Sequence, residues 1–150
     1  MKIGVACDHA GFQLKNLVIK TINELGHQVV DLGTNGPEAV DYPDFSLKLG
    51  KEIQTGVIDR GVLICGSGIG ACIAANKMRG VYASICHDTY SAHQGVEHDR
   101  MNVLCIGARF IGPALVQEIV TSFLAAEFSN EDRHIRRTNK IKMIEEGKNF

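Results

Sequence analysis

Residues 61–70, GVLICGSGIG, set one cysteine between an apolar run and three glycines at alternate positions. Val62-Leu63-Ile64 has the character of a short strand buried on both faces, and the segment from Ala71 to Lys77 that of the helix after it. A buried strand, a glycine turn and a helix in direct succession are half of a parallel crossover, since parallel neighbours must be joined through a covering helix. Cys65 then stands at the carboxyl end of its strand. Gly66, Gly68 and Gly70 let the backbone turn tightly and aim several N–H groups at one point. The helix start beside that point adds positive potential, so the Cys65 thiolate is expected to be favoured.

Further apolar runs extend the same layout. Strand-like segments fall at Ile3–Cys7, Gln28–Leu32, Gly61–Cys65, Val81–Cys86 and Val103–Ile106. Leu14, Leu17, Val18, Ile22 and Leu25 form a helical stripe that Gly26 would stop. Phe45, Leu49 and Ile53 follow Pro43 at a helix start, and a stripe from Leu115 to Leu124 follows Pro113. A last helix runs from about Arg133 to Glu146, with Ile141 and Ile144 expected inward. Strands alternating with helices predict an α/β chain with a five-stranded parallel sheet and helices on both faces, in one domain over 1–150.

With 16 Lys and Arg against 17 Asp and Glu, the net charge is −1, which gives no bulk attraction to nucleic acid or an anionic membrane. No run reaches the length of a membrane span. The start, MKIGVACDHAG, does not resemble a signal peptide. Five cysteines without a CxxC pair fit a reduced, cytoplasmic protein better than a disulfide scaffold or zinc module.

Ligands of open parallel sheets bind outside the carboxyl ends of the strands. Asp8 and His9 follow the first strand, Cys65 to Gly70 the third, His87 and Asp88 the fourth, and His98, Asp99 and Arg109 flank the fifth. The polar residues are thus expected on one edge. Cys65 suits a nucleophile or base, although many intracellular cysteines are only small buried hydrophobes. Ser67 can bond a substrate oxygen or fill a turn. Asp8-His9 can bind sugar hydroxyls or a phosphate, or begin a helix as a cap. His98 can pass protons, and Tyr42 can be a turn residue or a phenol facing substrate. Arg133 and Arg137 share a helix face, suited to gripping a phosphate or simply to solvent.

The segments GVACDHAGFQLK, VVDLGT, DYPDF, GVLICGSGIGACIAANK, NVLCIGARFIG and RHIRR resemble the type B ribose-5-phosphate isomerases. That family sits within a wider group with galactose-6-phosphate and allose-6-phosphate isomerases. The resemblance covers about residues 2 to 145. It implies a Rossmann-like (flavodoxin-like) three-layer fold, a homodimer, in some members paired into a tetramer, with active sites at the interface, and no metal or cofactor. It also implies Cys65 as the base acting through a 1,2-enediolate, Ser67 as the hydroxyl shuttle (threonine is common there), and an oxyanion hole of Gly66, Gly68, Ile69 and Gly70. His98 would open the sugar ring, Asp8 and Tyr42 would hold the sugar, and His9, Arg109, Arg133 and Arg137 would hold its phosphate.

Two positions depart from the pattern. Asp99 stands where asparagine is usual, and an ionised carboxylate accepts but cannot donate to an oxyanion. It is expected to face the substrate and bear on which sugar phosphate fits, with Arg100 as one partner for its charge. Glu131-Asp132 replaces glycines before the arginine pair. Two other classes fit less well. A nucleotide-binding module would want G-x-G-x-x-G after the first strand, and a redox thiol protein would want a resolving cysteine at CxxC spacing.

Overall fold

The strands and helices alternate as β1 (Lys2–Cys7), α1 (Phe12–Glu24), β2 (Gln28–Asp31), α2 (Tyr42–Gln54), β3 (Arg60–Cys65), α3 (Ile69–Ala75), β4 (Ala83–Ile85), α4 (Thr89–Asp99), β5 (Val103–Gly107), α5 (Pro113–Ala125) and α6 (Asp132–Glu145). This is a computed structural model, and it describes residues 1–150. All strand pairs are parallel, in the order β2-β1-β3-β5-β4. The Rossmann-like three-layer fold is the expected one. Its order differs from the flavodoxin order 2-1-3-4-5 by exchange of the last two strands. Burial explains the exchange: every residue of β5 is buried, whereas β4, Ala83-Ser84-Ile85, has none that is. The apolar strand takes the inner place and the short one the edge.

Side chains that alternate along each strand build two cores. Ile3, Val5, Cys7, Val62, Ile64, Leu104 and Ile106 face α1, α4 and α5. Ala6, Leu63, Cys65, Val103 and Cys105 face α2 and α3 with Phe45 and Leu49. Each fully buried Leu, Ile or Val contributes about 1.5–3 kcal/mol relative to exposure, so these two layers carry most of the fold's stabilisation. Gly26 stops α1 as expected, in the left-handed region at φ 79°.

Four expectations are corrected. The strand expected over Val81–Cys86 shrinks to Ala83–Ile85, because Val81 N–H closes a turn on the Met78 carbonyl. The helix expected from Ala71 to Lys77 starts two residues earlier, since Gly68, at φ 79°, turns the chain directly into it. α4 was not foreseen: only Ala92 and Val96 are buried, too few for an apolar stripe, while Asp88 caps it by accepting from Ser91 N–H at 2.7 Å. Ile141 and Ile144 are exposed, not inward. α6 packs on α4 at the border of the domain, and its buried residue is His134.

Candidate functional site

Strand register brings the first cluster together. Cys7 pairs with Ile64 and Cys65 with Gly107, so the carboxyl ends of β1, β3 and β5 lie level and adjacent. Asp8, Cys65 and Arg109 therefore leave the sheet side by side. Between β1 and β3 the chain order reverses direction across the sheet, the place where open α/β folds bind ligands.

Each side chain there is held. Asp8, 4 % exposed, accepts from the N–H groups of Ala10 (2.9 Å) and Gly11 (3.0 Å), which fixes its carboxylate at the start of α1. Its capping and ligand roles are thus compatible. His9 Nδ1 accepts from Val40 N–H at 3.2 Å, so the proton of the neutral ring is on Nε2. Tyr42 begins α2 and its phenol lies against Gly70, where an added Cβ would stand 2.5 Å from Cζ and 2.7 Å from the hydroxyl. Arg109 N–H bonds the Gly66 carbonyl at 3.1 Å, and its guanidinium covers Gly66.

The loop behaves as a donor cradle with one exception. Neither Gly66 N–H nor Gly70 N–H has a partner within the chain. Ile69 N–H is directed at Ser67 Oγ, 3.3 Å away, so it is partly used to brace the loop. Ser67 is half-buried beside it.

Cys65 reverses the expectation for its ionisation. Burial, at 8 % exposure, raises the thiol above its ordinary value, and the neighbouring Asp8 carboxylate raises it further. Gly68 and Ser67 N–H groups favour the thiolate, but they do not outweigh desolvation. The glycine loop was a sound pointer to donors; the depth of the sulfur could not be read from it.

A second cluster lies elsewhere. α4 starts at the carboxyl edge, beside His87, and runs back to deliver the chain to Val103 at the amino end of β5. Val103 and Gly107 are separated by about 13 Å of strand. His98 and Asp99, at the end of α4, therefore sit at the edge of the sheet opposite Cys65, which corrects the single-edge expectation. Arg133 and Arg137 accompany them, because α6 brings His134 onto His98 with ring centroids 4.0 Å apart. Arg133 Nε bonds Glu131 at 2.8 Å on the exposed surface. Asp99 lines a groove of ≈ 380 Å³ with Tyr82, Met101 and Ile141. Arg100 is no partner for it: the guanidinium lies 3.9 Å from the Phe128 ring centroid.

Sequence reasoning placed His87 at the carboxyl edge without a role, and it passed over His134. His87 Nε2 accepts Gly107 N–H at 3.1 Å and its ring stacks on Phe110, which ties the edge strand to the site. His134, inside the RHIRR segment, is buried against His98. Its one sequence signal was a histidine directly after Arg133 on a helix of mostly polar character.

Comparison with known proteins agrees in extent with the fold. The model of the family described as Ribose/Galactose Isomerase matches residues 3–141. Ribose-5-phosphate isomerase B of Escherichia coli K12 is 39 % identical over 148 residues, 99 % of each chain. The solved ribose-5-phosphate isomerase B of Clostridium thermocellum superposes with a TM-score of 0.95 at 44 % identity, over 98 % of this chain and 99 % of that one. That of Mycoplasma genitalium, solved with bound ribulose-5-phosphate, gives 0.91 at 39 % identity, over 97 % and 96 %.

Proposed function

This chain belongs to the ribose/galactose isomerase family and is a sugar-phosphate aldose–ketose isomerase, and on that premise we propose that it interconverts ribose 5-phosphate and ribulose 5-phosphate through a 1,2-enediolate. The observation that carries the proposal is Cys65 at the carboxyl edge, level with the buried Asp8 after the neighbouring strand and followed by the glycine loop at the start of α3.

In this reading Cys65, as thiolate, takes the proton from C2 and returns it to C1. Ser67 moves the hydroxyl proton between O1 and O2. The free N–H groups of Gly66 and Gly70, with Gly68 shared with the Cys65 sulfur and Ile69 less available, hold the oxygen on which charge develops. A raised thiol ionises less at neutral pH but is the stronger base once ionised, which suits a weakly acidic C–H. Asp8 and Tyr42 hold sugar hydroxyls, and His9 and Arg109 take one side of the phosphate.

His98, Arg133 and Arg137 cannot reach the same ligand within one chain, because the sheet lies between. A complete site then needs two copies in a C2 dimer, each contributing its Cys65 edge to the other's His98 edge. The exposed Ile69 and Ile73 of α3 beside the loop give such a contact apolar surface. A hexose 6-phosphate is the alternative substrate, favoured by the Asp99 carboxylate at the His98 edge.

The test is ketose formation from ribose 5-phosphate, allose 6-phosphate and galactose 6-phosphate. Fastest turnover of the pentose is expected. A hexose phosphate turned over faster would overturn the pentose assignment and move specificity to Asp99.

A further inference from the structure

α6 is exposed along most of its length, yet it buries a polar ring. His134 is 1 % exposed, and a leucine would fill the same space at less desolvation cost. What the imidazole adds is geometry. Its plane lies 28° from that of His98 with centroids 4.0 Å apart. Ser129 Oγ accepts from Glu131 N–H at 3.3 Å, which leaves its own hydroxyl proton for His134 Nδ1 at 2.6 Å. Ser129 is itself anchored to α4, its N–H bonding the Glu97 carbonyl at 3.0 Å.

His98 has one other tie, from Gln94 Nε2 to its Nδ1 at 2.8 Å. A single hydrogen bond lets a half-buried imidazole pivot about its side-chain torsions. The stack removes that pivot. With both Nδ1 atoms accepting, the neutral His98 ring carries its proton on Nε2, the atom directed away from both anchors.

We infer that His134 is a positioning residue: with Ser129 it fixes the ring of His98 so that Nε2 points at the sugar. The role presupposes the aldose–ketose reaction proposed above. Opening a furanose breaks the C1–O4 bond, adds a proton to O4 and removes one from O1. In the step itself His98 is the imidazolium, with the Gln94 amide turned so that its oxygen accepts from Nδ1–H. Nε2–H gives its proton to O4, leaving the neutral ring, and the proton released from O1 returns to Nε2. Burial first, then His98 and Arg133, hold His134 below the ordinary histidine range; Glu131 opposes them and Arg137 acts with them.

The experiment compares the parent with His134→Ala, His134→Phe and Ser129→Ala, using ribose 5-phosphate with hydrogen or deuterium at C2. NMR of the His98 ring protons is read alongside. His134→Ala is expected to lower kcat by at least ~10-fold with a much smaller change in KM. Its deuterium isotope effect should shrink, because ring opening now limits the rate. His134→Phe, which keeps a stacking ring, should recover part of the loss, and Ser129→Ala, which leaves no cavity at the stack, should reproduce a milder form of it. A folded His134→Ala variant with parental kcat overturns the inference, as does a reduced kcat with an undiminished isotope effect. A parent inactive on aldose phosphates, with the stacking shift still present in its His98 resonances, overturns the functional reading and any role in ring opening with it.

Discussion

The guanidinium of Arg109 rests on Gly66: a Cβ added to that glycine would stand 3.1 Å from Cζ and 3.2 Å from Nε. Ala10 closes the other side, its Cβ at 3.3 Å. The residue after the proposed base thus has a cation as its lid, and only a hydrogen on Cα leaves room for it.

Gly66→Ala should therefore fold, because the side chain in the way is flexible, but Arg109 must shift by a few tenths of an ångström or swing out. The expected outcome is a several-fold rise in KM for the sugar phosphate with a smaller loss of kcat. An unchanged KM would remove Arg109 from phosphate binding.

Cys65→Ala removes one sulfur from a nearly buried position and should leave the circular dichroism spectrum unaltered. Turnover should fall by ~10²–10⁴-fold, the usual loss of a general base. Because the proposed base acts deprotonated and burial raises the pH at which it ionises, the parental rate should keep climbing with pH past the ordinary thiol value. Retention of more than about a tenth of the activity would assign proton transfer to another group.

The proposed sharing of the site between two chains predicts complementation. Cys65→Ala and His98→Ala proteins, each inactive alone, should regain activity when unfolded and refolded together. Half of the dimers are then hybrids with one intact site of two, so about a quarter of the parental activity is expected. No recovery, with hybrids demonstrated by mass, would place a whole site within one chain.

Stability should fall at alkaline pH. Burial pushes Cys7 and Cys86 up to about 11. Between the ordinary value near 9.0 and that value, the unfolded chain has released protons that the folded chain still holds. The folded state binds more, so its stabilisation is complete below the lower value and is lost as pH rises through the higher one. Thermal unfolding should move down by a few degrees between pH 8.5 and 10.5. Cys86→Ala should flatten that slope, and a slope unaffected by the substitution would exclude this thiol as its source.

Much of the first cluster was legible because its residues are local to strand ends. Apolar runs mark where β1 and β3 finish, and whatever polar residue follows a parallel strand must emerge at the same edge. Asp8, His9, Cys65 and the glycines needed no more than that. α4 broke the rule for His98 and Asp99: a helix of eleven residues with two buried side chains carries too faint a period to be seen. Without it, the polar residues before β5 were placed beside those after it.

The sequence by itself determined the parallel sheet, the covering helices and the cysteine in its glycine loop, since burial period and turn chemistry act over a few residues. The tertiary structure alone decided three things. It set the Cys65 thiol deep enough that desolvation outweighs its N–H donors. It ran α4 back across the sheet, so that Cys65 and His98 occupy opposite edges. And it stacked His134 on His98 through the packing of α6 on α4. Each depends on distances between segments far apart in the chain, which no local pattern encodes.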